Sequence, residues 1–335
     1  MKPAVRPPFL SDIPACDPAE VRVVVLMGGS SAERQVSLMS GREVAKGLRR
    51  SGFPVEEIDL APEDVPGLAG RPFDLAFIAL HGTFGEDGRL QKQLDDLGLL
   101  YVGSGPEASR RAMDKVAAKE AFAASLIPTP PWRVVARGDE AAARSAREEL
   151  GPSLVVKPID EGSSVAVTLA ETPQEYARGL AEVFAIRDRA LVECRIRGPE
   201  LTVGVLHDQG LPIVEIVPHQ EFYNYDAKYF DVSTEYVVGP KLPAATERTV
   251  RRLAVEAHQA LGCRDFSRVD LMLDADGSAW LLEVNTIPGF TTHSLLPKSA
   301  SGLGIDFADL CRYIVELALA RGVGQRAART DRGTR

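Results

Sequence analysis

A short apolar run that stops on two glycines and gives way at once to a helical repeat does most to restrict the fold. Val21–Met27 reads as a buried strand ending at Gly28-Gly29. Ser30 and Glu33 stand at capping-box spacing, which predicts a helix beginning near Ala32. Val36, Met39, Val44 and Leu48 give that helix an apolar stripe, and Ser51-Gly52 ends it. Val55–Ile58 and Leu75–Leu80 read as two more strands, Arg89–Leu97 as a helix and Leu99–Val102 as a fourth strand. This rhythm produces parallel βαβ units with helices on both faces of the sheet. The first domain is therefore α/β and spans residues 21–113.

The pattern then changes. A helix at Lys115–Ser125 runs into Pro128, Pro130 and Pro131. Leu154–Lys157 and Val165–Leu169 read as strands around a Gly-Ser loop, Pro173–Phe184 as a helix and Ala190–Glu193 as a strand. Past residue 200 come further strands, a long loop at about 218–236 and a helix at Ala245–Leu261. A hairpin follows, in which Phe266–Leu273 and Ala279–Glu283 flank the turn Asp274-Ala275-Asp276-Gly277. A closing helix covers about Phe307–Ala320. These elements suggest a central domain over 114–200 and a C-terminal domain over 201–320. Residues 1–20, with five prolines, read as a flexible arm, and the arginine-rich 321–335 as a flexible basic tail.

Composition excludes several classes. With 39 basic and 47 acidic residues the net charge is −8, which disfavours non-specific nucleic-acid binding. No apolar run approaches the ~20 residues of a membrane span, and the N-terminus has no apolar core of a signal peptide. Four scattered cysteines without a CxxC suggest reduced thiols in a cytoplasmic protein. Gly28-Gly29-Ser30-Ser31 is neither G-x-G-x-x-G nor a P-loop, so nicotinamide enzymes and Walker-type ATPases are disfavoured.

Four groups of residues remain as candidates for chemistry. Glu33, in the first helical turn, reads as a holder of an amine or simply as a cap. His81-Gly82 closes a strand at the sheet edge where ligands bind in open α/β folds, or is a satisfied loop histidine. Lys157 emerges from a buried strand into Gly162-Ser163-Ser164, a loop able to offer donors to phosphate. The strongest group is Arg268-Val269-Asp270 with Glu283-Val284-Asn285. Residues two apart on a strand share a face, so the hairpin brings Asp270 opposite Glu283 with Arg268 and Asn285 alongside. Two carboxylates and an amide oxygen are hard ligands suited to Mg²⁺ held with nucleotide phosphates, and Arg268 can neutralise an oxyanion. The alternative is a sheet face of ordinary salt bridges. Gly289 permits close backbone approach to a ligand, and the aromatic loop Phe222–Tyr229 suits a lid.

These segments, in this order, resemble the D-alanine–D-alanine ligase family of the ATP-grasp superfamily. The matching stretches are Gly28–Ser40, Ala79–Gly88, Met113–Lys115, Val156–Val165, Phe222–Tyr229, Arg268–Leu273 and Glu283–Ser294, spread over about Val21 to Ala320. The resemblance implies a three-domain ATP-grasp fold with an N-terminal parallel-sheet domain. It also implies ATP-dependent ligation of two D-alanines through an acyl phosphate, two Mg²⁺ (or Mn²⁺), a cytoplasmic homodimer and a role in peptidoglycan synthesis. No nucleic-acid or membrane partner is implied.

Residue roles follow from the same resemblance. Glu33 and His81 would hold the amine of the first D-alanine. Lys115 and Lys157 would bind ATP phosphates under a loop at Ser163-Ser164, and Ser163, Glu33 and Tyr229 would form a network locking the lid. Glu193 would accept from the adenine amino group, with backbone at Cys194 and Ile196 and the ring of Phe222 beside it, and Glu200 would take the ribose. Asp270, Glu283 and Asn285 would ligate the metals, while Arg268 and the Gly289 N–H would form the oxyanion hole. Lys228, Ser294 and Leu295 would hold the second D-alanine. Relatives that make a D-lactate ester carry a histidine where this chain has Lys228-Tyr229. Two departures are visible: Glu193-Cys194-Arg195 replaces the usual Glu-Lys-Trp, and Ala166 replaces a glycine after Ser164-Val165. Two rival readings remain, a ligase with other substrates and a non-catalytic nucleotide sensor, although a sensor would be expected to have lost a metal ligand.

Overall fold

The computed structural model describes residues 6–217 and 234–332, with side chains to Gly322. Strand β1 (Val23–Gly28) is buried along its whole length because both its faces are covered. Val23 and Val25 face a cluster with Val44 and Leu48 of α1 (Arg34–Arg50), while Val24 and Leu26 face Leu90 and Leu94 of α2 (Arg89–Asp96). β2 (Val55–Leu60) and β3 (Leu75–Ile78) flank β1, both parallel to it. The expected fourth strand is reduced to a single bridge between Ala76 and Tyr101. The capping box is also not formed. Ser31, not Ser30, accepts from Glu33 N at 3.2 Å and donates to His81 O at 2.7 Å, and the helix begins two residues later than expected.

After α3 (Pro106–Met113) and α4 (Lys115–Ala124) comes an antiparallel four-stranded sheet, ordered β4-β7-β5-β6. It is made of β4 (Trp132–Ala136), β5 (Leu154–Pro158), β6 (Thr168–Ala170) and β7 (Arg189–Cys194). Helices α5 (Glu140–Leu150) and α6 (Pro173–Ile186) cover it. The second antiparallel sheet has five strands in the order β10-β9-β8-β11-β12: β8 (Glu200–Leu206), β9 (Gln209–Val217), β10 (Glu235–Val238), β11 (Phe266–Leu273) and β12 (Ala279–Asn285). α7 (Ala244–Ala260) packs on it, and so does α4, whose Ala118 and Phe122 share a core with Leu201, Val203 and Leu271. Packing therefore changes not at 113/114 but where the chain enters β4.

Both ends of the chain depart from the expected flexibility. From Arg6 onward the arm is fastened. Leu10 is fully buried, and Arg6 pairs with the buried Glu316 on α9 (Phe307–Arg332) at 2.5 Å. Pro7 and Pro8 shape a 3-10 turn rather than a loose segment. At the other end Arg321 is anchored to Asp265 (2.9 Å) and to Tyr101 O (2.7 Å), and the helix continues to Arg332. α8 (Leu295–Ser301) lies between, and among the described residues no helix is long and apolar enough to cross a membrane.

One buried group ties this core to pH. His258 on α7 is 2 % exposed, bonds Ser267 Oγ at 2.7 Å, and is pushed by burial from 6.5 down to about 4. Between these values the unfolded chain takes up a proton that the folded one resists. The stability from neutral His258 is thus complete above about pH 6.5 and is lost as pH falls through about 4, by roughly 3 kcal/mol. His258→Gln is expected to shrink the fall in denaturant midpoint between pH 6.5 and 4. Parallel pH curves for the two proteins would reject this origin.

Candidate functional site

The site is built on the β11–β12 hairpin. Its register pairs Asp270 with Glu283 and Arg268 with Asn285, as the alternation required, and a bulge after Asp270 leaves Leu282 out of the pairing. Asp270 is 6 % exposed and its oxygens are well supplied. Oδ1 accepts from Thr202 Oγ1 at 2.6 Å and from Arg268 Nε at 2.9 Å, and Oδ2 accepts from Arg268 Nη2 at 2.7 Å. Arg268, Asp270, Glu283 and Asn285 all line a cavity of about 760 Å³ that reaches Glu33, His81, Gly289 and Ser294. Asp270 and Glu283 also line a second cavity of about 510 Å³ that holds Lys157, Ser163, Ser164 and Glu193. The hairpin carboxylates thus stand where the two cavities meet.

The donor set fits a hard cation. Among the described residues no three His, Cys, Asp or Glu converge. The hairpin offers two carboxylates and an amide, which leaves coordination positions to be filled by oxygens of another molecule, such as phosphates.

At one end of the larger cavity, Glu33 occupies the N-cap position of α1 without a side-chain capping bond, and its carboxylate receives a hydrogen bond from Ser163 Oγ, across 130 residues of sequence. His81 is buried, with Nε2 3.0 Å from Ser40 Oγ and Nδ1 3.1 Å from Ile287 O and 3.3 Å from Glu86. Burial opposes its charge, but Glu86 and Glu33 outweigh it and raise the imidazole pKa. Burial likewise raises the Glu86 carboxyl. Gly82, at φ +71°, has no room for a Cβ, which would lie 2.7 Å from Glu33 Oε2. At the far end, Phe290 is wedged edge-on against Phe77, Phe266 and Phe307, and its N–H goes to Ser40 Oγ, so the Gly289 backbone is fixed. Ser294 caps no helical N–H of α8 but accepts from Thr291 N at 2.9 Å. Leu295, the first residue of α8, packs on Ile216.

The smaller cavity has an apolar slot of Val155, Leu169, Met272 and Leu282, bordered by Cys194, Arg195, Ile196 and Glu200. Glu193 is 2 % exposed; Lys119 Nζ stands 2.6 Å from one oxygen and Lys157 Nζ 2.5 Å from the other. Two cations overcome its burial and hold its carboxyl below the ordinary range. An adenine amino group would therefore meet a carboxylate already shared by two ammoniums. Lys115 Nζ bonds Glu161 O at 2.6 Å and lies 3.8 Å from Glu283. Ser163, Ser164 and Ala166 all have φ between +52° and +59°, a left-handed stretch that is costly at Ala166, where glycine would be at ease.

The structure thus brings together Glu33, His81, Lys115, Lys157, Ser163, Ser164, Glu193, Cys194, Ile196, Glu200, Arg268, Asp270, Glu283, Asn285, Gly289, Ser294 and Leu295 around two joined cavities. Phe222, Lys228 and Tyr229 lie outside the described residues. Sequence reading missed Thr202, Ser40 and Lys119. Thr202 is paired with Asp270 across β8 and β11 and had no sequence signal. Ser40 is a polar residue at a buried helical position, and Lys119 follows Lys115 by one helical turn on the same face; both spacings were readable.

Comparison with known proteins is consistent with this arrangement. Residues 122–316 match the family model described as D-ala D-ala ligase C-terminus. A D-alanine–D-alanine ligase of Geotalea uraniireducens is 45 % identical over 297 residues, covering 89 % of this chain and 95 % of that protein. One from Burkholderia vietnamiensis is 44 % identical over 301 residues, 89 % of this chain and 96 % of that protein. Among solved structures, the Bacillus anthracis D-alanine–D-alanine ligase superposes with a TM-score of 0.83 at 36 % identity, covering 91 % of this chain and 99 % of that one; a complex of that ligase with ATP gives 0.78 at 33 %. The VanG D-Ala:D-Ser ligase of Enterococcus faecalis gives 0.79 at 27 %, covering 89 % of this chain and 99 % of that one.

Proposed function

The chain belongs to the D-alanine–D-alanine ligase family, and from that premise we propose that its two cavities hold ATP and D-alanine on either side of the Asp270–Glu283 pair. The enzyme joins two D-alanines into D-alanyl-D-alanine, the peptidoglycan precursor dipeptide, at the expense of ATP and through an acyl phosphate. The observation that carries the assignment of sites is the sharing of Asp270 and Glu283 by both cavities. A phosphate bound in one then faces a carboxylate bound in the other.

Glu33 and His81 bind and orient the amine of the first D-alanine. Lys157, Lys115 and the Ser163-Ser164 loop bind the phosphates, and the bond from Ser163 to Glu33 closes the loop over both substrates. Two Mg²⁺ or Mn²⁺, held by Asp270, Glu283 and Asn285, would neutralise phosphate charge. Arg268 and the Gly289 N–H face the carbonyl that becomes tetrahedral when the second amine attacks. Ser294 and Leu295 border the second D-alanine, with Lys228 and Tyr229 completing that subsite. Glu200 takes the ribose, and the backbone at Cys194 and Ile196 the base beside Phe222. A central domain that begins where the chain enters β4 and ends near residue 200, a homodimer and a cytoplasmic location complete the reading.

The test is incubation with Mg-ATP and D-alanine, D-serine and D-lactate in competition, with phosphate release and product mass measured. D-alanyl-D-alanine is expected to dominate. A predominant D-alanyl-D-serine or D-lactate ester would overturn the second-substrate assignment. Gly82→Ala displaces Glu33 and is expected to raise KM for the first D-alanine about tenfold, the value of one charge-assisted hydrogen bond. An unchanged KM would detach Glu33 from that role.

A further inference from the structure

Lys119 is a buried cation that the reaction as derived leaves without a task. Its side chain is 1 % exposed, and it is not among the residues lining either cavity. It donates to Thr129 Oγ1 at 2.6 Å and Pro130 O at 3.0 Å, and pairs with Glu193 Oε1 at 2.6 Å. Two hydrogen bonds and one ion pair thus surround the ammonium. Thr129 relays the link by donating to Leu281 O at 2.9 Å, two residues before Glu283 on β12. Burial pulls Lys119 down to about 8 against the pull of Glu193, so it remains charged at neutral pH.

The charge balance gives this cluster a consequence. Lys157, 10 % exposed and open to the smaller cavity, holds the other oxygen of Glu193. Two ammoniums and one carboxylate sum to one net positive charge. With Lys119 absent, Glu193 would belong wholly to Lys157 and cancel it, and the carboxylate would be free to turn. Lys119 also fixes the linker Thr129-Pro130 from which the chain enters β4, so the cluster sits between the central sheet and the β11–β12 hairpin.

We propose that Lys119 is a positioning residue for nucleotide binding, which occupies one oxygen of Glu193 and so leaves Lys157 cationic toward the phosphates of ATP. This rests on the reading of Lys157 as a phosphate contact, and the variants separate the two ideas.

Steady-state kinetics on the full chain provide the test. Lys119→Met is expected to raise KM for Mg-ATP about tenfold, with kcat within about threefold and KM for D-alanine unchanged. In a Glu193→Gln background there is no carboxylate to cancel Lys157, so Lys119→Met should add little there. Strictly additive effects, or an unchanged KM for ATP in Lys119→Met with only a lower melting temperature, would reduce Lys119 to a structural cross-link and overturn the proposal. If Lys119→Met does not fold, Lys119→Gln removes the charge while keeping a donor toward Thr129 Oγ1 and Pro130 O. A rise in KM for ATP in that variant supports the proposal, and no rise refutes it. Lys157→Ala is the control. Should it leave KM for ATP unchanged, the phosphate-site reading itself fails. Should it raise KM while Lys119→Met does not, only the positioning role fails.

Discussion

Glu283→Gln is expected to lower kcat for dipeptide formation by at least about 10³-fold while the protein stays folded. Glu283 stands directly opposite Asp270 in the hairpin register and borders both cavities, so its charge is felt at the point where phosphate and carboxylate meet. Glutamine keeps the shape and one oxygen but removes the negative charge that a divalent cation requires. The side chain is 29 % exposed, and Lys115, 3.8 Å away, keeps its hydrogen bond to Glu161 O when the charge is removed. Melting temperature and circular dichroism should therefore match the parent, and phosphate release should vanish along with dipeptide. Turnover within a few-fold of the parent would remove Glu283 from the metal set and, with it, the placement of the reaction at the hairpin.

The hairpin was legible because strand alternation is a strict rule. Placing Asp270 and Glu283 on one face needed only a turn at Asp274–Gly277, and the bulge that drops Leu282 did not move the acids apart. Local capping was less legible. Ser30 and Glu33 had the right spacing, yet Ser31 took the Glu33 N–H because its hydroxyl also satisfies His81 O across the sheet edge, a tertiary contact that local sequence does not encode. The ends misled for a related reason. Prolines and arginines signal a solvated terminus, but Arg6 and Arg321 each find a buried carboxylate, Glu316 and Asp265, more than fifty residues away. α4 illustrates the limit for domains. Its alanine-rich face fits either sheet, and only the fold shows that Phe122 goes to the C-terminal one. The joined site likewise depends on the contact of Ser163 with Glu33, 130 residues apart, which the resemblance implied but spacing alone did not.

Arg268→Lys is expected to cost about 10²–10³-fold in kcat, the loss typical of removing one oxyanion donor, with KM for ATP and D-alanine within a few-fold. In the structure the Arg268 fork spends Nε and Nη2 on the two oxygens of Asp270. That contact orients the planar head at the wall of the larger cavity, where the oxyanion would develop. Lysine retains the charge but has no fork, so it cannot grip Asp270 and present a fixed donor at once. Thr202 still bonds Asp270 Oδ1 in the variant, so Asp270 stays in place and the loss reads on the arginine alone. An Asp270-directed role and an oxyanion role then give different results. If Arg268 serves only to hold Asp270, the variant keeps its kcat because Thr202 supplies the orientation. If Arg268 meets the oxyanion, kcat falls for dipeptide formation even with both substrates saturating. Measured kcat at saturating ATP and D-alanine decides between them, and a value equal to that of the parent would leave Arg268 an ion-pair partner of Asp270 and nothing more.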